Sequence, residues 1–174
     1  MNVIGIDFAK TQCGVAMGDG SGPPRTTSVQ FRQPTRGKVF VAFQDWLRDL
    51  ILTEQPGLVM CEAALLHVDK HRGPDTARMM VGLSAHAESV CARRSVLQRD
   101  VQSQTWRKAF LGTGRPTDPK QASLRQCELL GWPTGGIHDR AEAAGVWAYA
   151  HIHHGNSRGV MQMLSMGSVK RFAQ

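Results

Sequence analysis

The chain has 174 residues, 41% of them apolar and 20% charged, enough for one compact domain with a substantial core and too few for two separately cored ones. No apolar run approaches the roughly 18–20 residues that span a bilayer, and Met1 to Phe8 lacks the basic and long apolar regions of a secretory leader, so neither a membrane nor an exported protein is expected. Lys and Arg number 21 against 14 acids, a formal charge of +7 and a pI near 9.8, which favours a polyanionic partner such as nucleic acid.

Asn2 to Asp7 (NVIGID) is a β-rich run ending in a carboxylate, and Cys13 to Met17 is a second apolar run separated from it by a turn-length link. Gly18 to Pro24 is dense in turn residues, and Thr26 to Phe31 alternates as a third strand. Three antiparallel strands form the expected opening meander. Over Lys38 to Thr53 the period changes: Val39, Phe40, Phe43, Trp46, Leu47, Leu50 and Ile51 share one helical face. Leu58 to Cys61 reads as a buried strand ending at Glu62.

A long helix is expected from about Asp75 to Arg94, with Met79, Met80, Leu83, Ala87, Val90 and Cys91 inward, Asp75 in its first turn and two arginines in its last. Ser95 to Val101 supplies a fifth strand. Gln104 to Leu111 and Pro119 to Leu130 read as helices broken by Gly112-Thr113-Gly114-Arg115-Pro116, and a last helix runs from about His138 to His151. The order implies an α/β fold, a mixed five-stranded sheet flanked by helices, in one domain over residues 1–154 with a tail over 155–174. Cys13, Cys61, Cys91 and Cys127 form no CxxC pair and no zinc-finger spacing, so buried free thiols in a reducing cytoplasm are expected.

Most acids fall on solvated helix faces, but Asp7 and Glu62 each end a buried strand, and neighbouring strands would bring them together. Asp139 and Glu142, at i and i+3, share one face of a helix start whose inward stripe (Ala143, Val146, Trp147, Ala150) aims them at the sheet. Taken singly, a strand-end Asp is often a turn former, and Asp139 equally suits a helix macrodipole. Taken together, clustered carboxylates repel unless cations neutralise them, and oxygen-only ligands favour Mg²⁺ or Mn²⁺. Two such ions about 4 Å apart activate water and stabilise a leaving 3′-oxygen in phosphodiester hydrolysis.

Asp7 in GIDFAKTQCGVAM, Glu62 after LVMC, and Asp139-x-x-Glu142-Ala143 in a terminal helix resemble the RuvC-type Holliday junction resolvases of the ribonuclease H-like superfamily, over roughly residues 2 to 154. The resemblance implies an Mg²⁺- or Mn²⁺-dependent endonuclease that resolves four-way or other branched DNA by paired nicks, with Asp7, Glu62, Asp139 and Glu142 as catalytic metal ligands. It implies two ions per site, a homodimer, no small-molecule cofactor, and a cytoplasmic setting in a bacterium or a phage-infected host. Val101 to Arg115 (VQSQTWRKAFLGTGR) matches the family's basic segment ahead of Gly-x-Gly. It places Arg107, Lys108, Gly112, Gly114, Arg115 and Lys120 on DNA, with the glycines admitting phosphates close to the backbone.

The chain departs from the family at three points. Glu142 stands where Asp is usual, which alters reach to a second ion. Leu65 stands where members carry a junction-opening aromatic, and a leucine wedges between bases without stacking as well. Asp118 falls where a basic residue is expected, with Lys120 just beyond. Readings left open beside the resolvase are a hybrid-cutting or transposase-related nuclease of the same superfamily, and a catalytically idle junction-binding protein. An actin-like ATP-binding protein, suggested by NVIGIDFAKT, would need about twice the length. The helix from Asp75 to Arg94 is a candidate dimer seam or simply a buried helix. His138 lies next to the acidic turn, while His151, His153 and His154 suit either a metal cluster or a helix C-terminus.

Overall fold

In a computed structural model the described residues are 1–9, 12–64 and 73–171, with side chains described through residue 166. Leu65, the expected junction wedge, lies outside them. The elements follow in the expected order: β1 (Val3–Phe8), β2 (Gln12–Gly18), β3 (Arg25–Gln30), α1 (Arg36–Glu54), β4 (Leu58–Glu62), α2 (Pro74–Arg93), β5 (Leu97–Val101), α3 (Ser103–Leu111), α4 (Pro119–Leu130), α5 (His138–His154) and α6 (Ser157–Arg171). One mixed sheet of five strands has the order β3-β2-β1-β4-β5, antiparallel through the opening meander and parallel from β1 to β4 to β5.

Helix ends obey local chemistry. Thr35 caps α1 by accepting a hydrogen bond from the Lys38 amide, and Asp118 caps α4 by accepting from that of Gln121. Pro119 opens α4 and a left-handed Gly131 closes it. The anomalous Asp118 is therefore a structural cap. Residues 157–171 of the expected tail are helical, and α6 packs on α4 and α5 with Val160 fully buried.

Strand alternation divides the core into two layers. Ile4, Ile6, Phe8, Val59 and Cys61 face α1 and α2, among Phe43, Leu47, Leu83 and Val90. The opposite face carries Val3, Leu58, Met60 and Val101, covered by α3, α4 and α5 through Trp106, Phe110, Trp132 and Trp147. The apolar stripe of α2 (Met79, Leu83, Ala87, Val90, Cys91) is buried within the chain, against the sheet and α1. All four cysteines are free and buried, and burial pushes the Cys91 and Cys127 thiols up to about 12. Among the described residues, no helix is long and apolar enough to cross a membrane.

Helix α5 is built from small residues where it crosses the sheet, and the sheet answers with glycines. A Cβ on Gly5 would stand 2.6 Å from the Trp147 amide nitrogen, and one on Gly14 only 1.9 Å from the Asp139 carbonyl oxygen. Gly14 is the cross-strand partner of Asp7, so the absent side chain lies beside the carboxylate that ends β1. The helix thus rests on backbone rather than on side chains, and its first turn drops to the level of the strand ends. Gly14→Ala is expected to destabilise the protein by about 3 kcal/mol in urea unfolding, the upper end of the usual overpacking cost. Gly22→Ala, where an added Cβ meets nothing within 4 Å, should stay within about 0.5 kcal/mol of wild type.

Candidate active site

Asp7 follows Val3 and Gly5 on the α5 side of β1, and Glu62 follows Leu58 and Met60 on the same side of the adjacent parallel strand β4. The first turn of α5 brings Asp139 and Glu142 over these ends. One carboxylate oxygen each from Asp7, Asp139 and Glu142 lie within 4.8 Å of one another. Asp7 and Glu142 are almost wholly buried, and Asp139 is partly exposed at the mouth.

Glu62 belongs to the same electrostatic site but does not join that triple. One of its oxygens accepts from Ser103 Oγ at 2.5 Å and the other from Trp106 Nε1 at 2.7 Å, so α3 holds both. Asp139 Oδ2 accepts from Gln12 Nε2 at 2.8 Å, and Gln12 Oε1 in turn accepts from Gln30 Nε2 at 2.9 Å. Glu142 Oε1 accepts from Arg107 Nη2 at 2.7 Å. Gln12, Ser103 and Trp106 are positioning residues that sequence reasoning missed; polar residues at the edge of a strand and on the inner face of a short helix carry no motif.

Charge crowding is visible in the acids themselves. Burial, and then the charges of Glu62, Glu142 and Asp139, push the Asp7 carboxyl well above its ordinary range. Burial and Glu62 raise Glu142 too, against the opposing pull of Arg107 and Lys120. Without a cation, Asp7 and Glu142 therefore part with their protons less readily than ordinary carboxyls. Three converging hard oxygen donors suit a divalent cation, which would supply the positive charge this crowding lacks.

The other expected residues are distributed around this centre. Lys120 Nζ is 3.9 Å from Asp139 Oδ1, with its side chain mostly exposed. Arg107, expected on DNA, is spent on Glu142 and only 17% exposed. Gly112 ends α3 in the left-handed conformation at φ 81°, while a Cβ on Gly114 would stand 2.7 Å from the Gln104 carbonyl oxygen. Both glycines thus have a conformational reason within the fold. Lys108 and Arg115 point into an open groove of about 840 Å³, whose opposite wall is Tyr149 and His153 with ring centroids 4.3 Å apart.

The histidines do not converge on one point. His151 is buried, with Nδ1 accepting from the Asn156 amide and Nε2 at 3.0 Å from the Gly18 carbonyl, the pattern of a neutral ring. His153 and His154 are exposed, and His138 has a buried Nδ1 without a hydrogen-bond partner.

The raised Asp7 carboxyl has a thermodynamic consequence. Below the ordinary carboxyl range Asp7 is protonated in both folded and unfolded chains; above it, the unfolded chain releases a proton that the fold retains, so stability falls as pH rises. In metal-free buffer, Asp7→Asn should melt at a higher temperature than wild type at pH 8 and show a flatter pH dependence. The two should converge near pH 4, where calorimetry checks the difference.

No protein-family model and no curated relative matches the chain. Solved structures do. Thermus thermophilus RuvC in complex with a Holliday junction substrate superposes with a TM-score of 0.68 at 12% identity, covering 88% of this chain and 96% of that one. A second Thermus thermophilus RuvC structure gives 0.66 at 16% identity, with the same coverage. The yeast mitochondrial Holliday junction resolvase Ydc2 gives 0.63 at 10% identity, covering 97% of this chain and 81% of that one. The chain has the ribonuclease H-like fold of the RuvC-type resolvases.

Proposed function

We propose that the protein is a divalent-metal-dependent endonuclease that cuts branched DNA, a four-way junction foremost, by paired nicks made by two copies of the chain. The observation that carries this reading is the convergence of Asp7, Asp139 and Glu142 at the strand ends of a fold shared with junction resolvases, one of them in complex with its junction substrate. Asp7, Asp139 and Glu142 would hold the ion, and Glu62, at the end of β4 and held by α3, would complete its field. An ion held there would lower the pKa of a water for attack and offset charge on the phosphodiester being broken.

The chain's own residues set where a strand lies. Glu142, Tyr149 and His153 follow one another at i, i+7 and i+11 on a single stripe of α5. The groove therefore begins about 10 Å along the helix axis from the acids. Lys108 and Arg115 on one wall take phosphates, while Tyr149 opposite gives sugars an apolar surface. Such contacts read backbone shape rather than base sequence, as a branch-selective enzyme requires. Two copies follow from the chemistry: one acidic site per chain makes one cut, and symmetric cuts need a symmetric partner.

Nicking of end-labelled four-way, three-way, flap and RNA–DNA hybrid substrates in Mg²⁺ or Mn²⁺ tests the reading. The four-way junction should be cut symmetrically and the hybrid left intact; preferential hybrid cutting would make the protein a ribonuclease. Asp7→Asn should abolish nicking while junction affinity in Ca²⁺ stays at or above wild type. Lys108→Ala combined with Arg115→Ala should make the log–log salt dependence of binding shallower by about 2, for two lost phosphate contacts. An unchanged slope would move the DNA path elsewhere.

A further inference from the structure

We infer that Arg107 is a built-in counter-cation of the acidic site: its guanidinium holds Glu142 in the metal-free protein and must let go for Asp7, Asp139 and Glu142 to grip an ion together. This rests on the metal-dependent reading above and assigns a role to a residue which the sequence placed on DNA. The carboxylate that Arg107 binds is one of the three that converge. Its Nη2 is 2.7 Å from Glu142 Oε1, and the two side chains are only 17% and 6% exposed. So buried an ion pair is screened little by water or salt, and a divalent ion arriving beside it meets a like charge at close range.

The seat of the arginine is built for holding and for release. Its guanidinium carbon lies 5.0 Å from the centre of the Trp106 ring, over an indole that is itself fixed to Glu62. Yet Arg107 Nε is buried without any hydrogen-bond partner, so the pair is incompletely satisfied in this state. Departure of the side chain costs the ion pair and the contact with the Trp106 ring while relieving one orphaned donor. Lys120, the other cation near the cluster, is exposed and 3.9 Å from Asp139, and is not placed to replace it. Arg107 thus neutralises Glu142 when no ion is bound and sets a threshold that an ion must overcome.

A latch closed about nine-tenths of the time weakens apparent metal affinity about tenfold. Calorimetric titration of Mn²⁺ into the full chain without DNA should accordingly show Arg107→Met binding about tenfold tighter than wild type. Equal or weaker binding by a folded Arg107→Met would overturn the latch. A second measurement needs no variant: in protein labelled with ¹⁵N-arginine, the buried Arg107 Nε–H should be protected from solvent exchange and lose that protection as Mg²⁺ saturates the site. Protection retained at saturation would equally overturn it. Failure of wild type to bind Mn²⁺ at all, with Asp7→Asn indistinguishable from it, would instead overturn the metal-dependent reading on which the latch stands.

Discussion

The architecture turns on the contact between α5 and the first hairpin. A helix normally lies on a sheet across a layer of side chains, but here Gly5 and Gly14 remove that layer, and the backbone of α5 rests on β1 and β2. This close approach lowers the first turn of the helix by the thickness of a side chain, so Asp139 and Glu142 meet Asp7 at the end of β1. Burying these acids is unfavourable, as the upward displacement of Asp7 and Glu142 records. Packing along the rest of α5, from Ala143 to Ala150, stabilises the fold against that cost.

The second constraint comes from α3. Nine residues long, it reaches two of the acids at once, Ser103 and Trp106 holding Glu62 and Arg107 holding Glu142. Its own place is fixed by Trp106, which fits against Gly145 of α5, and by Phe110 stacked on Trp132. The opposite side of α3 looks into the groove through Gln104 and Lys108. One short helix therefore joins the chemistry of the acids to the surface where a strand is proposed to run.

Much of this was legible in the amino-acid order. The alternation in VIGID and LVMCE fixes which strand ends carry acid and which face they take, and the small inward residues after Glu142 mark the helix that lies on them. What was not legible depends on pairings between distant residues. Glu62 and Trp106 are 44 apart, and nothing local says that the carboxylate turns to the indole rather than into the triple. Arg107 lies in a basic run and reads as a phosphate contact, because a salt bridge to Glu142 is a tertiary event. Gly14 is one more residue of the Cys13 to Met17 run until the helix above it is in place, and Asp118 looks like a misplaced charge until α4 begins after it. The apolar stripe of α2 shows that something covers it without saying whether that is the same chain or a second one; the sheet and α1 do so.

The close seat of α5 at Gly5 and Gly14 also limits how the floor of the site can shift. Where Gly5 meets Trp147 and Gly14 meets Asp139 no side chain intervenes that could change rotamer, so the start of α5 cannot shift on β1 and β2 without breaking atomic contact. The wall formed by α3 is held differently: Trp106 and Phe110 anchor it in the core, and its links to the acids are polar contacts. The acids thus lie between a helix seated backbone on backbone at two glycines and a short helix anchored by two buried aromatic rings.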